Sequence, residues 1–272
     1  MDSQSVTKMT FSENLKRRQL LVGHALCVNV KNVHTVFFIV AAVVATIIES
    51  LISAILSLFV GRFSPLTAKT VRLWSRFVMK VARVRVEVHG LENILTTTQY
   101  IVMSNHQSLL DLTTLLGYVP VQVTIIAKKE LFRIPVFGWG IRGGGVLPVD
   151  RSNSVRAVET LKLVERILME RSLSLLIFPE GTRTQDGKLG SFKKGPFVVA
   201  RNTGLPILPI TIDGCFSVLP KTRWTLRPGT VHVWIHPPVS RERVLTSDLP
   251  GLIEDVRGVI ASRLPSVARE NQ

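Results

Sequence analysis

The stretch YIVMSNHQSLLD at 100–111 decides the fold, because it reads as a buried strand, a polar turn and the start of a helix. Residues 100–103 are apolar throughout, and the run LLDLTTLL that begins at Leu109 is apolar enough for a packed helix. Asn105 or Ser104 fits the capping position before such a helix. A strand that leads through a polar turn into a helix is the repeating unit of α/β domains.

Short apolar runs of this kind recur along the chain from residue 84 onward. Helical patterns separate several of the apolar runs, most clearly at 154–171, and an amphipathic helix at 248–264 closes the chain. We therefore predict an α/β domain over 84–272, with a largely parallel central sheet flanked by helices. The seven strand-like runs are VRVEV (84–88), YIVM (100–103), QVTIIA (122–127), GVLPV (145–149), LSLLIF (173–178), ILPITI (207–212) and TVHVWI (230–235).

Residues 1–83 predict a membrane-associated helical region with an N-terminal apolar anchor. The segment 36–60 holds one charged residue, Glu49, and a helix of this length spans a hydrocarbon core of about 30 Å. A carboxylate near mid-depth and basic residues on both flanks disfavour a simple span. The sequence leaves a true span and embedding from one side open.

A basic amphipathic helix is predicted directly after the apolar segment, at 66–83. Its five basic residues share a wedge of roughly 80°, and Trp74 and Phe77 lie beside it, a pattern typical of an interfacial membrane anchor. The alternative is a surface helix that packs its apolar side on the core. The basic residues are Lys69, Arg72, Arg76, Lys80 and Arg83.

Composition limits the partners of the chain. A net charge of +15 together with 46% hydrophobic residues suits an anionic membrane surface or an anionic substrate. With two Tyr, four Trp and no zinc-finger spacing, the sequence argues against nucleic acid. The cysteines, Cys27 and Cys215, lie far apart and indicate a reducing cytosol, and we expect no removable signal peptide.

His106 and Asp111 are the candidate catalytic pair. Residues five apart diverge by about 140° on a regular helix, so the pair meets only if His106 lies in the turn and Asp111 in the first turns of the helix. Asp111 then accepts the Nδ1–H of His106 and leaves Nε2 as a general base for a hydroxyl. The alternative is a capping aspartate beside an incidental histidine. Because no G-x-S-x-G elbow occurs, we favour direct attack by a substrate hydroxyl over a serine intermediate.

A second polar cluster, FPEGTRT at 178–184, predicts an anion site. Pro179 and Gly181 favour a tight turn, and the planar fork of Arg183 matches a phosphate. Glu180 is predicted to orient that arginine or to bind a hydroxyl. If the strands before residues 104, 150 and 179 run parallel, the polar clusters that follow them share one edge of the sheet.

Further cations surround these clusters. Arg151 follows GVLPV and supplies a second candidate cation for a phosphate. Lys128 lies in AKKEL, and Lys193 and Lys194 lie in FKKGP. These lysines are interpreted either as donor or phosphate contacts or as ordinary solvated charges.

Four of these blocks, in order, resemble the signature of one family: NHQSLLD, GVLPVDRS, FPEGTR and LPILPI (205–210). Over about residues 84–240 the chain is similar to the glycerolipid acyltransferases, most of all to lysophosphatidate acyltransferases of bacterial type. The resemblance implies acyl transfer from a thioester on coenzyme A or acyl carrier protein to lysophosphatidic acid, which gives phosphatidic acid in phospholipid biosynthesis. It implies no cofactor and no metal for this reaction.

The resemblance also assigns roles by position. His106 corresponds to the base and Asp111 to its partner, and Arg151 to a second phosphate contact. The block that binds the phosphate and glycerol of the acceptor corresponds to Glu180, Gly181, Thr182 and Arg183. The oxyanion of the reaction requires nearby donors, such as the backbone N–H groups of the helix start or of the Gly181 turn.

Several alternatives stay open at this stage. Another lysolipid acceptor such as lyso-ornithine lipid, a lipid esterase, and a non-catalytic membrane-surface protein all fit parts of the sequence. We expect a bacterial inner-membrane location with the catalytic domain on the cytoplasmic face. Acyl-chain preference, the identity of the thioester donor and the oligomeric state are not determined by the sequence.

Overall fold

The computed structural model describes residues 11–150, 154–223 and 225–265, with side chains for 33–150, 159–223 and 225–265. The described residues form nine α-helices: α1 (Phe11–Val60), α2 (Pro65–Val81), α3 (Leu110–Tyr118), α4 (Phe137–Gly143), α5 (Ser154–Arg171), α6 (Gly195–Thr203), α7 (Cys215–Val218), α8 (Arg241–Thr246) and α9 (Leu249–Ala261). They also form seven strands: β1 (Val84–His89), β2 (Ile101–Ser104), β3 (Val123–Lys128), β4 (Leu147–Val149), β5 (Ser174–Ile177), β6 (Ile207–Asp213) and β7 (Gly229–Ile235).

The strands make one sheet in the order β1-β7-β6-β2-β5-β3-β4. Neighbouring strands run parallel except β6 and β7, which are antiparallel. The predicted α/β fold with a largely parallel sheet is confirmed, and each of the seven predicted runs supplies one strand. Because β2, β5, β3 and β4 run in one direction, the polar clusters at their carboxyl ends face one edge of the sheet.

The core forms on both faces of the sheet. Side chains alternate along β2, so Val102 packs with α2 and α3 while Ile101 and Met103 pack with the layer of α5, α6 and α9. All four residues of β2 are buried, as expected of a central parallel strand. Each fully buried Ile, Met or Val side chain contributes about 1.5–3 kcal/mol, which fixes the strand that leads into the His106 turn.

Helices α1 and α2 form an antiparallel hairpin. Ser64 accepts the N–H of Leu66 and so begins α2, which then runs back along the second half of α1. Contacts at several levels fix this arrangement: His34 Nε2 to Val81 O at 3.2 Å, Trp74 Nε1 to Thr46 Oγ1 at 3.3 Å, and Thr70 Oγ1 to Glu49 Oε1 at 2.9 Å.

Helix α4 fastens the hairpin to the α/β domain through two glycines. A Cβ on Gly140 would lie 2.3 Å from Ser50 Cα, and one on Gly143 would lie 2.4 Å from the Ser53 carbonyl oxygen. The two helix backbones therefore approach so closely that a side chain at either glycine does not fit.

Two arginines on the basic face of α2 contact the neighbouring helix α3. Arg76 Nε donates to the Gly117 carbonyl at 2.9 Å and Arg72 Nη2 to the Val119 carbonyl at 3.3 Å, at the C-terminus of α3. Carbonyls at a helix C-terminus lack helical partners and attract cations, so these two arginines dock α2 onto α3. Arg72 and Arg76 thus also serve a packing role inside the protein, while Lys69 and Lys80 are exposed.

One helical segment among the described residues, Val33–Val60, is long and apolar enough to cross a membrane. It has 28 residues and a mean hydropathy of 2.5, and 17% of its most apolar window is buried inside the protein. Much of its apolar surface is therefore left for contact with lipid or a partner.

Candidate active site

The imidazole of His106 is bonded to the carboxylate of Asp111. His106 lies in the turn between β2 and α3, and Asp111 lies in the first turn of α3, which is the arrangement that the spacing requires. Nδ1 of His106 is 2.8 Å from Oδ2 of Asp111. The Asp111 side chain is fully buried, while that of His106 is 20% exposed, so the ring is anchored from within and accessible from outside.

Asp111 also closes the turn itself. Its Oδ2 accepts the backbone N–H groups of Gln107 at 2.6 Å and Ser108 at 2.7 Å. Hydrogen bonds to a charged acceptor are stronger than those between neutral groups. The carboxylate therefore fixes both the ring of His106 and the backbone that carries it.

Asn105 has a different role from the cap that the sequence suggested. The residue at the capping position is Leu109, which makes no side-chain capping bond. The amide of Asn105 instead donates to the Ile212 carbonyl and accepts the Ile212 N–H, both at 2.8 Å. It thereby ties the end of β2 to the neighbouring strand β6.

Glu180 organises the loops around His106. Its Oε1 accepts the His106 N–H at 2.7 Å, and its Oε2 accepts the Gly190 N–H at 2.9 Å. Burial raises the pKa of Glu180 above its ordinary value, because the loss of water outweighs the two backbone hydrogen bonds that lower it. In the described part of the chain no contact joins this carboxylate to Arg183, so the predicted role of orienting that arginine is replaced by backbone organisation.

The FPEGTRT segment makes hydrogen bonds with both the backbone N–H and the backbone carbonyl of His106. Glu180 accepts the His106 N–H, and the N–H of Thr184 donates to the His106 carbonyl at 2.9 Å. Gly181, with φ of +72°, makes the predicted tight turn, and its N–H donates to the Phe178 carbonyl at 3.0 Å. The backbone of Arg183 is consequently held within the loop that encloses His106.

Phe178 is a residue that the sequence analysis missed. Its ring stacks on the imidazole of His106, with the centroids 4.0 Å apart and the planes 11° apart. The stacking restricts rotation of the imidazole while leaving its outer edge open. The available signal was an aromatic residue directly after β5, the strand that pairs with β2.

Two candidate anion-binding cations, Arg183 and Lys193, lie in the loops around His106. The side chains of Arg183, which is half-buried, and of Thr182, which is exposed, make no hydrogen bond or ion pair within the described ranges. Lys193 crosses the turn, since a Cβ on Gly181 would lie 2.9 Å from both Cε and Nζ of that lysine. This combination of positive charge and open geometry suits a phosphate.

Two other predicted cations, Lys128 and Lys194, lie on the surface. Lys128 is exposed and 3.8 Å from Glu130. Lys194 is exposed and begins α6, its carbonyl accepting the Val198 N–H. Arg151 lies outside the described residues. Lys129, which was not among the predicted site residues, is 2.5 Å from the buried carboxylate of Asp150 and so connects the ends of β3 and β4.

Comparison with known proteins identifies the class to which this fold and site belong. The family model Acyltransferase matches residues 85–213. The crystal structure of the 1-acyl-sn-glycerophosphate (LPA) acyltransferase PlsC from Thermotoga maritima is similar with a TM-score of 0.72 and 30% identity, covering 85% of this chain and 94% of that one.

Curated relatives narrow the class further. A 1-acyl-sn-glycerol-3-phosphate acyltransferase from Pseudomonas aeruginosa is 34% identical over 194 residues, which cover 69% of this chain and 74% of the relative. The chain therefore belongs to the family of 1-acyl-sn-glycerol-3-phosphate acyltransferases, as its motifs indicated. A chloroplastic member from Brassica napus is 38% identical over 68% of this chain, and the chain spans 52% of its length.

Proposed function

We propose that this protein transfers a fatty acyl group from a thioester donor to the free hydroxyl of lysophosphatidic acid, giving phosphatidic acid in phospholipid biosynthesis. The observation that carries the proposal is the His106–Asp111 pair enclosed by a loop whose Arg183 side chain has no partner among the described residues. The relatives from Thermotoga maritima and Pseudomonas aeruginosa, which are both named as acyltransferases of this kind, agree with it.

His106 acts as the general base in this proposal. With Nδ1–H donated to Asp111, Nε2 takes the proton of the acceptor hydroxyl as its oxygen attacks the thioester carbonyl. A tetrahedral oxyanion forms, the carbon–sulfur bond breaks, and the leaving thiolate takes the proton from the imidazolium. The buried carboxylate of Asp111 stabilises the imidazolium between the two proton transfers.

The cations hold the acceptor. The guanidinium of Arg183 binds the phosphate, and the exposed hydroxyl of Thr182 contacts the glycerol. Arg151 keeps its predicted role as a second phosphate contact. Positioning the hydroxyl against Nε2 by its phosphate converts a chance encounter into an intramolecular reaction.

The oxyanion requires nearby donors, and three of the backbone N–H groups expected to supply them are already engaged. The backbone N–H groups of Gln107 and Ser108 donate to Asp111, and the N–H of Gly181 donates to Phe178. Since these groups are already engaged, we assign charge stabilisation to the side-chain cation of Lys193, which lies over the Gly181 turn.

The helical hairpin supports embedding in one side of the membrane. Helix α2 lies along the apolar half of α1 and exposes Lys69 and Lys80 together with Leu73 and Phe77. If α1 crossed the bilayer, these lysines would be carried into hydrocarbon, where a charge is unfavourable. A hairpin lying at one interface keeps the lysines among the head groups and the apolar side chains among the acyl chains.

The donor and the sidedness complete the proposal. Acyl-coenzyme A and acyl carrier protein are both acidic, and the exposed Lys128 and Lys194 suit either one. The catalytic domain then lies on the cytoplasmic face of a bacterial inner membrane. A reporter fused to the C-terminus tests this: cytoplasmic activity is expected, and activity only on the other face of the membrane contradicts the proposal.

An acceptor panel tests the reaction itself. The full-length protein in mixed micelles is supplied with acyl-coenzyme A or acyl carrier protein thioester and one lysolipid at a time. We expect thiol and phosphatidic acid in equal amounts with lysophosphatidic acid. Thiol release that is equally fast without any lysolipid indicates an esterase, and preference for lyso-ornithine lipid contradicts the assigned acceptor.

A further inference from the structure

The outer part of the sheet carries ionisable side chains that the proposed reaction does not use. In the parallel pairing of β1 and β7, Glu87 lies opposite His232 and His89 lies opposite Trp234. Because Val86 packs against the core, the alternating residues Glu87 and His89 lie on the other face of the sheet. The side chains of Glu87, His89, His232 and Trp234 therefore lie next to one another on two neighbouring strands.

Three of these side chains converge on one point. Glu87, His89 and His232 each offer one ligand atom, and the three atoms lie within 4.8 Å of one another. His232 Nδ1 is 3.4 Å from Glu87 Oε2, without the geometry of a hydrogen bond. Within the described residues, neither His232 Nδ1 nor His89 Nε2 has a hydrogen-bond partner, and both atoms are shielded from solvent. Shielded ring nitrogens without partners are unfavourable, so a ligand that binds both is favoured.

The surrounding residues hold these groups in place. The ring of His89 stacks on Trp234 with the centroids 3.9 Å apart, and the guanidinium of Arg263 lies 4.6 Å from the Trp234 ring. Arg85 Nε binds the other carboxylate oxygen of Glu87, Oε1, at 3.0 Å. Partners that orient ligating side chains in this way are typical of metal sites.

We propose that Glu87, His89 and His232 form a binding site for a divalent transition-metal ion such as Zn²⁺. Two imidazoles and a carboxylate are ligands that Zn²⁺, Co²⁺ and Ni²⁺ prefer, whereas Mg²⁺ and Ca²⁺ prefer oxygen alone. Zn²⁺ ligands lie about 2.0–2.2 Å from the ion, so small side-chain rotations complete the site.

The site is open and separate from the acyl-transfer residues. The side chains of Glu87 and His232 are 32% and 37% exposed, which leaves a coordination position for water. Asp213 lies opposite His232 on β6 and adds negative charge that partly offsets Arg85 and Arg263. An ion at this position would join the edge strand β1 to β7 and stabilise that side of the sheet.

Metal titration of the full-length protein tests the site. The protein, purified in detergent with a histidine-free affinity tag and stripped with chelator, is titrated with Co²⁺ and then with Zn²⁺ in competition. We expect a visible Co²⁺ absorption band that saturates at one ion per chain, and a higher melting temperature with bound ion. Carrying out the titration in the His106→Ala background removes the catalytic imidazole as a competing ligand.

Ligand variants decide the outcome. His89→Ala, His232→Ala and Glu87→Gln should each weaken binding at least about tenfold, whereas His34→Ala, which removes a histidine on α1, should bind as the parent does. Glu87→Gln keeps the shape of the side chain and decides the matter if an alanine variant fails to fold. Absence of saturable binding by the parent, or binding by Glu87→Gln and His89→Ala as tight as that of the parent, overturns the proposal.

Discussion

The two halves of the candidate site differ in how firmly they are held. On one side, the His106 backbone and ring make hydrogen bonds to Asp111, Glu180 and Thr184, and the ring stacks on Phe178. On the other side, Arg183 has no partner among the described residues, and the cation of Lys193 is exposed. The difference supports the proposal that His106 is a preorganised proton-transfer group, while the proposed anion-binding group is completed by the substrate itself.

The largest expected effect follows from removal of the base. His106→Ala should lower acyl transfer by about a thousandfold, within the range known for general bases, because the acceptor hydroxyl then keeps its proton. Initial rates with saturating lysophosphatidic acid measure it, and vesicle co-sedimentation should be unchanged. The matched control His236→Ala removes a histidine bonded to Thr211, away from the site. If His106→Ala transferred acyl groups at nearly the parent rate, His106 would not be the general base, and its firm hydrogen bonding would have no catalytic meaning.

The second prediction concerns recognition of the acceptor phosphate by Arg183. Arg183→Ala should lower kcat/KM for lysophosphatidic acid by about 10- to 100-fold, the range expected for hydrogen bonds to a charged group. The loss should be small with a monoacylglycerol that lacks the phosphate. Lys188→Ala, an exposed lysine of the same loop region, is the control. Equal losses with both acceptors would show that Arg183 does not recognise the phosphate.

The third prediction addresses the carboxylate that joins the loops. Glu180→Gln replaces one acceptor oxygen by an amide group that faces a backbone N–H, so unfolding free energy should fall by about 1–3 kcal/mol and kcat by roughly tenfold. Denaturant unfolding and initial rates measure the two quantities. An unchanged kcat would show that the hydrogen bonds that Glu180 accepts from the His106 and Gly190 N–H groups are not needed to orient His106.

The pH dependence of the same variant gives a further check on that carboxylate. Because burial raises the pKa of Glu180, the folded chain holds this proton longer than the unfolded chain. This group's contribution to stability is therefore complete below its ordinary pKa of 4.5 and falls as pH rises through the raised value. Glu180→Gln should lack this slope in unfolding free energy, and an identical slope in both proteins would contradict the assignment.

The smallest expected effect concerns Cys215, which begins α7 and is fully buried. Burial, aided by the negative charge of Asp111, raises the pKa of this thiol well above its ordinary value, so it reacts as a weak nucleophile. In a Cys27→Ala background, a thiol reagent should modify Cys215 only as the chain opens, with lysophosphatidic acid causing little further protection. Rapid modification under native conditions would show that the core around Cys215 opens readily without global unfolding.

Much of the fold was accessible from the sequence, because each strand is a short apolar run between turns. The His106–Asp111 contact also followed from spacing, since only one placement at a helix start allows it. The order of the strands and the antiparallel β7 did not follow, because pairing depends on long-range packing. The docking of Arg76 on the Gly117 carbonyl was hidden because the acceptor is a backbone group 41 residues away.

The roles of the loop residues also depend on contacts between residues that are distant in sequence, so the sequence predicted them only in part. Glu180 was recognised as part of a motif, yet its partners are N–H groups of His106, 74 residues away, and Gly190, 10 residues away. A backbone donor leaves no trace in the side-chain pattern. Phe178 was missed for a related reason, because stacking on the imidazole depends on β5 lying directly beside β2.

A double-mutant cycle between His106 and Asp111 tests the central claim most directly. If the carboxylate acts through the imidazole, Asp111→Asn should lower kcat about a hundredfold in the parent protein and have no further effect in the His106→Ala background. Fully additive losses in the double variant would show that the two residues act independently and would contradict the account.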